Sequence, residues 1–406
     1  MYNKLKVTYP NNYEKFKCIG GDCEDTCCQG WDIEIDKDTF VAYSKVQDEN
    51  MKEMLIKNIY KNDDCTSDDL DYGVIKLNED KKCPFLDKCS YCSIYINIGE
   101  NYLSNICTQF PRIINKINND YEISLDVSCF EAAKIMLESE EKIEFNSSEK
   151  IFDKYIINDE YNTNSKKYKK SPIKYIKEIR SLSIDILQDR RYDLSERLYI
   201  LGEFIKNLED KMEEDYKLAA SFISNFDRDS VVKKYKRNNM NYIFQLIFFK
   251  NIIDSSNLIE QAISVDFKKF TNELIAGLNI NNLEDYKNNE EKYISAFEEY
   301  DEKFIKEYSY IFENYLVNYI YNNLFPFSES DYMFEGYIML IVRYSFIRLF
   351  LVGRYLNNKT ESKEDIIRCI SLFARDIEHD KTYMSKIFDY IEEKNYDNID
   401  FACKLL

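Results

Sequence analysis

Ten of the twelve cysteines in this 406-residue chain lie between Cys18 and Cys129, and only Cys369 and Cys403 fall outside. That distribution divides the chain before any element is assigned. The opening MYNKLKVTYPNNYEKF has no apolar stretch of the kind that directs secretion. The expected compartment is therefore cytoplasmic, where thiols stay reduced. Reduced, clustered thiols favour metal or redox chemistry over a disulfide framework.

The remainder reads differently. Only 9 Gly and 5 Pro punctuate the whole chain, which argues for long helices. Ser171-Pro172 is a cap followed by proline at the first helical position. Beyond it Leu194, Leu198, Leu201, Ile205 and Leu208 recur at helical spacing. The segments 239–253, 258–279, 289–324, 332–356, 362–376 and 381–394 have the same character. Earlier in the chain, Trp31, Ile33 and Ile35 alternate with acids and predict a short strand, and Asp36 then caps a helix to about Val46. YGVIKLN at 72–78 and YEISLDV at 121–127 alternate likewise. The stretch from about Asp159 to Lys170 is polar and without period. The expected fold is mainly α, with a small cysteine-rich α+β metal-binding domain over 1–158 packed on a larger all-α helical domain over 171–406.

A net charge of −18 argues against a nucleic-acid partner, since phosphate binding needs concentrated positive charge and the best basic run is SKKYKK. The most apolar stretch, YIMLIVRYSFIRLFLVG at 337–353, carries Arg343 and Arg348, each costly in lipid. A buried core helix is expected there, and no transmembrane segment. Arg343 and Arg354 are eleven residues apart on one helix face and need buried partners such as Glu335 or Asp376.

The cysteine motifs are Cys18-x4-Cys23-x3-Cys27-Cys28, then CPFLDKCSYCSIY with Cys83, Cys89 and Cys92, then NICTQFPRI with Cys107, then LDVSCFEAA with Cys129. Thiolates are soft ligands, and four of them complete a zinc or iron–sulfur site. Ligands from four segments would let the metal staple a domain with little regular structure. The radical-SAM spacing C-x3-C-x2-C is absent, because Gly30 stands where its last cysteine would fall. No strand leading into a G-x-G loop and no P-loop is visible, so no S-adenosylmethionine (SAM) pocket can be read from the sequence.

His379, in ARDIEHDK, is the lone histidine and shares a helix face with Arg375. Two readings stay open. One is a cation near a helix C-terminus, which the dipole favours. The other is that Glu378 or His379 removes a proton from a substrate amine.

Taken in order, CEDTCC…GW, CPFL with Cys92-x-Ile94-Tyr95, YLSNICTQFPRI and SLDVSC-x-EAA resemble the flagellin lysine-N-methylase family. They also resemble the wider group of CxxCxxCC-type zinc- or iron-chelating proteins. Weaker agreement continues in NYIYNNLFPF at 318–327 and RDIEHD at 375–380. The resemblance implies SAM-dependent N-methylation of surface lysines of flagellin, with an oxygen-sensitive 4Fe-4S cluster held by the cysteine motifs. Carried over by motif, Cys23, Cys27, Cys28, Cys83, Cys92, Cys107 and Cys129 are the metal ligands, with Cys18 at the matching upstream position and Cys89 an extra. One such cluster needs four thiolates. Eight candidates leave either a second site or several spare thiols, and zinc remains the alternative metal. For the chemistry, Glu378 and His379 are the expected catalytic residues. The rival reading is a non-catalytic, structural-zinc adaptor with a helical protein-interaction surface.

Overall fold

KLKVTYP alternates in polarity, and in the computed structural model of the chain it forms the first of the strands. The structure describes residues 4–23, 25–31, 33–152, 154–236, 241–256, 264–279 and 286–406. Its strands are β1 (Lys4–Pro10), β2 (Ile33–Ile35), β3 (Ile59–Lys61), β4 (Gly73–Ile75), β5 (Arg112–Ile117), β6 (Asp120–Leu125), β7 (Phe145–Ile151) and β8 (Glu160–Tyr161). One mixed sheet has the order β7-β1-β6-β5-β8, with β1 parallel to β6 and antiparallel to β7. Val7, Ile114, Ile123 and Leu125 are almost wholly buried on it. A second, antiparallel sheet has the order β2-β4-β3.

Chain contacts divide the molecule into two compact units: Met1–Ala132 with Phe145–Glu160, and Ala133–Glu144 with Tyr161–Leu406. In the first, the expected strands at Ile33–Ile35, Gly73–Ile75 and Asp120–Leu125 are present. Helix α1 (Lys37–Tyr43) starts where Asp36 predicts it. One Asp36 oxygen accepts from the Thr39 N–H at 2.9 Å, and the other accepts from the Asn105 N–H at 2.9 Å. The same carboxylate therefore caps α1 and holds the start of a second short helix, 105–109. Helix α2 (Glu49–Asn58) is capped by Asp48. Helices α3 (Ser93–Ile98), α4 (Asn105–Gln109) and α5 (Phe130–Leu137) complete the regular structure before β7.

The second unit is helical. Helix Leu194–Glu214 opens with a capping box between Asp193 and Glu196. Helix Met333–Asn358 is long and apolar enough to cross a membrane by length and composition, yet its most apolar window is entirely buried inside this unit. It is the core helix that Arg343 and Arg348 imply. The partners of Arg343 and Arg354 differ from the sequence expectation. Arg343 pairs with Glu329 and Glu378, and Arg354 with Glu273, Glu361 and Asp365. Glu335 instead accepts from Ser330, and Asp376 from the Ser264 N–H and hydroxyl at 3.0 Å each. Glu329 and Glu361 come from the loops flanking this helix, and Glu273, Asp365 and Glu378 from other elements packed on it.

The segment 289–324 is not one helix. Helix Tyr286–Tyr300 passes into a π turn, Asp301–Ile305, and helix Ser309–Asn322 follows. Helix Lys363–Phe373 likewise runs into a π turn, Ala374–Glu378. The 258–279 segment is helical from Val265, its first residues lying outside the described ones.

Helix Val265–Leu278 packs closely on Met333–Asn358 at a glycine pair. A Cβ at Gly277 would overlap the Gly353 carbonyl oxygen, and one at Gly353 would meet Leu274 at 2.6 Å. The obstacle at Gly277 is backbone, which cannot rotate away. Gly277→Ala gains about 1 kcal/mol of helix propensity but forces two helices apart, so a net loss of about 2 kcal/mol is expected. Denaturant unfolding checks this, and an unshifted midpoint would contradict so close a crossing.

Candidate functional site

The cysteine segments are held by turns and backbone hydrogen bonds rather than by long elements. The Cys83 N–H donates to the Cys28 carbonyl at 2.8 Å, and the Gly30 N–H to the Lys81 carbonyl at 2.9 Å, joining 28–30 to 81–83. An isolated bridge joins Leu86 to Cys92, and the Ser93 N–H donates to the Phe85 carbonyl at 2.7 Å. Cys28, Cys83 and Cys92 thereby share one apolar cluster with Ile33, Ile35, Phe85 and Ile94. Cys107 lies in the first turn of α4, where its N–H donates to Ser104 Oγ at 3.2 Å. The Trp31 indole donates to the Cys27 carbonyl at 2.6 Å, and its ring lies 5.7 Å from that of Phe110.

Backbone N–H groups are aimed at several sulfurs: Asp25 at Cys23, Phe85 at Cys83, Ile94 and Tyr95 at Cys92, Glu131 and Ala132 at Cys129. Such bonds favour thiolate and tune a bound metal. Burial works the other way. It pushes the Cys83 thiol well up and the Cys129 thiol up to about 11. Cys28 is drawn down to about 7, first by the hydrogen bond from Cys27 and also by Thr26. The donor set is soft and rich in thiols, which fits a thiolate-held metal. Among the described residues no three His, Cys, Asp or Glu side chains stand at ligating distance as placed, so a metal held here would have to draw the sulfurs together. Outside the eight candidates, the Cys65 thiol donates to Asp71 at 3.5 Å and Cys89 is exposed.

In the helical unit, Glu378 closes the Ala374–Glu378 π turn, a distortion often found at functional sites. Its Oε1 accepts from the Tyr315 hydroxyl at 2.5 Å and pairs with Arg343 Nε at 3.3 Å. Arg343 stacks 4.7 Å from the Tyr319 ring centre, and Tyr319 donates to Glu329 at 2.8 Å. The Glu378 carboxylate is therefore held by Tyr315 and Arg343. His379, next in the chain, is exposed. The sequence marked the 378–379 pair but not Tyr315, Tyr319 or Glu329. Tyr315 and Tyr319, four apart on one helix, were the only hint.

A second charged cluster surrounds Arg354. Its Nε pairs with Glu273 at 3.0 Å, its other nitrogens with Glu361 and Asp365 at 3.3 Å each, and the Phe270 ring centre lies 3.8 Å away. Tyr300 donates to Glu361 at 3.2 Å. Burial, reinforced by Asp365, outweighs Arg354 and raises the Glu361 carboxyl from 4.5 to about 7. A raised carboxyl binds its proton more tightly in the folded state. Its contribution is present below pH about 4.5 and is lost as pH rises to about 7. A loss on the order of 3 kcal/mol across that window is expected from this group, and Glu361→Gln should flatten it. Thermal melts of both proteins across the window test this, and parallel profiles would rule the effect out.

The family model described as "FliB lysine N-methylase C-terminal domain" matches residues 180–405. That range includes Glu378 and His379 and lies beyond the clustered cysteines. The flagellar biosynthetic protein FliU of Salmonella muenchen is 30% identical over 166 residues, covering 41% of this chain and 96% of the relative. A lysine-N-methylase of Salmonella typhimurium is 30% identical over 135 residues, 33% of either chain, and one of Salmonella choleraesuis shows the same figures. The matched stretch thus spans about a third of the length of these two methylases. No solved structure matches the chain.

Proposed function

The chain belongs to the FliB lysine N-methylase family, and from that membership we propose that it is a SAM-dependent methyltransferase acting on surface lysines of flagellin. The observation that carries the reading is the family match across residues 180–405, most of the helical unit. We further propose that the cysteine-rich unit holds a 4Fe-4S cluster through Cys18, Cys23, Cys27, Cys28, Cys83, Cys92, Cys107 and Cys129, or a subset of them. When bound, such a cluster cross-links the segments that carry its ligands and can exchange an electron.

A lysine ammonium has no lone pair to attack a methyl group, and with a pKa near ~10.4 it must lose a proton first. Of the two residues at the π turn, His379 is the proposed proton acceptor. Histidine is the side chain that ordinarily exchanges a proton at physiological pH, and His379 is exposed. Glu378, held by Arg343 and Tyr315, is the proposed positioning residue. It fixes the turn from which His379 projects.

The test is transfer of label from SAM to flagellin by protein purified without oxygen, followed by hydrolysis to amino acids. Label in Nζ-methyllysine is expected, at a rate that rises with pH. His379→Ala should lower turnover more than flagellin binding. No transfer by folded, metal-loaded protein would favour the adaptor reading. Transfer by a colourless zinc form would keep the methyltransferase and remove the iron. Release of 5′-deoxyadenosine in step with methylation would replace polar transfer by radical chemistry.

A further inference from the structure

We propose that the eight candidate ligands form two separate four-thiolate metal sites, divided between the adjacent residues Cys27 and Cys28. One site is Cys28, Cys83, Cys92 and Cys107. The other is Cys18, Cys23, Cys27 and Cys129. The inference rests on the reading that these cysteines hold metal, and not on methyl transfer.

The first set stands on the backbone. The Cys83 N–H bond to the Cys28 carbonyl and the bridge between Leu86 and Cys92 bring three ligand segments into one apolar cluster. Asp36 ties the start of α4, and with it Cys107, to the strand-and-helix corner beside that cluster, since its carboxylate accepts from Asn105. The thiols then lie near enough to repel one another as thiolates in every pairing: Cys83 with Cys28, Cys92 and Cys107, Cys107 with Cys28 and Cys92, and Cys92 with Cys28.

The second set assembles around a different turn. The Gly20–Asp22 turn brings the Cys23 N–H to the Gly20 carbonyl at 3.1 Å and folds Cys23 back toward Cys18. Gly20 takes φ +58°, the left-handed conformation that glycine accepts without strain. As thiolates, Cys18 would repel Cys23, Cys23 would repel Cys129, and both Cys129 and Cys18 would repel Cys27, so the four lie within electrostatic reach of one another in a chain. The two sets meet at the contact of the neighbouring Cys27 and Cys28 thiols.

The two groups are built alike. Each has one residue at an exposed position, Cys107 in the first and Cys18 in the second, and three that are buried or half-buried; the Cys107 thiol itself is turned inward, since burial pushes it up to about 12. Four thiolates complete a tetrahedral zinc site or hold one iron–sulfur cluster. Four sulfurs on each side of the Cys27–Cys28 peptide therefore make two full ligand sets with none left over. A single four-thiolate site would use four of the eight and leave the other four cysteines without a role.

The test is metal stoichiometry of the full chain, loaded without oxygen, in the wild type and three variants. The wild type should hold two site-equivalents. Cys92→Ser and Cys129→Ser should each lose one and keep the other, and Cys89→Ser should keep both. A wild type with one site-equivalent would overturn the division, as would loss of all metal from either variant while it remains folded. Should the variants fail to fold, the cadmium-substituted wild type still decides the matter. Two all-thiolate cadmium resonances are expected, and one would refute the proposal. Absence of all metal would refute metal binding itself. Two sites in a protein that transfers no methyl group would leave this inference intact and remove the proposed function.

Discussion

Replacing Cys83 by serine is expected to remove one of the two proposed metal sites from the cysteine-rich unit and strongly destabilise that unit, while the helical unit stays folded. Cys83 is 7% exposed and packs beside Phe85, which is fully buried. Its N–H anchors Cys28, and the Phe85 N–H is aimed at its sulfur. The segments around it hold few long elements, so the binding energy of the proposed metal would be largely the folding energy of the unit. Structural thiolate zinc contributes about 10–16 kcal/mol in small domains, more than a typical domain's whole stability. Serine is a far poorer soft-metal ligand, and it would leave a hydroxyl in an apolar core. Cys369→Ser is the contrast. Cys369 is as well buried, but among helices, and should cost about 1–2 kcal/mol with metal content unchanged. Metal analysis with limited proteolysis separates the outcomes. Equal metal loss from both variants would show that the ligand set reaches into the helical unit.

The largest single effect expected in the helical unit is at Glu313. Its side chain is 1% exposed and accepts from Arg197, 3% exposed, at 2.6 Å. Arg190 forks onto the same carboxylate at 2.9 Å through Nε and Nη2, from a side chain 38% exposed. Arg197 also donates to the Leu187 carbonyl at 2.6 Å. Removing the carboxylate leaves the Arg197 charge buried without its counter-charge. A buried pair broken on one side costs about 3–5 kcal/mol, so Glu313→Gln should lose about that much. The half-exposed Arg190 should matter little, about 1 kcal/mol or less. Arg197→Met with Glu313→Leu should lose less than the two single changes together, because neither charge is stranded. Denaturant midpoints measure all of these, and a neutral Glu313→Gln would mean that the pair is open to water.

What the sequence disclosed follows from the range of the forces involved. Local signals were legible: the Asp36 cap, the Ser171-Pro172 start, and the alternation at Ile33–Ile35, Gly73–Ile75 and Asp120–Leu125. Strand β7 was not. FNSSEKI is polar, and it is a strand because β1, about 140 residues away, pairs with it. The π turns at Asp301–Ile305 and Ala374–Glu378 were missed for a related reason, since an inserted residue leaves helical periodicity intact on either side. The eight cysteines were legible as residues. Their grouping was not, because it depends on where the fold carries Cys107 and Cys129. The ionic clusters of Arg343 and Arg354 were hidden likewise. The two arginines were plain, but Glu329, Glu378, Glu273 and Glu361 meet them only through tertiary packing.

The most direct measurement of the proposed activity is the intact mass of flagellin after incubation with this protein and SAM in the absence of oxygen. The account predicts a ladder of added methyl groups, dependent on SAM, with fragment ions placing each on a lysine side chain at the flagellin surface. Flagellin of unchanged mass, after incubation with folded and metal-loaded protein, would contradict it.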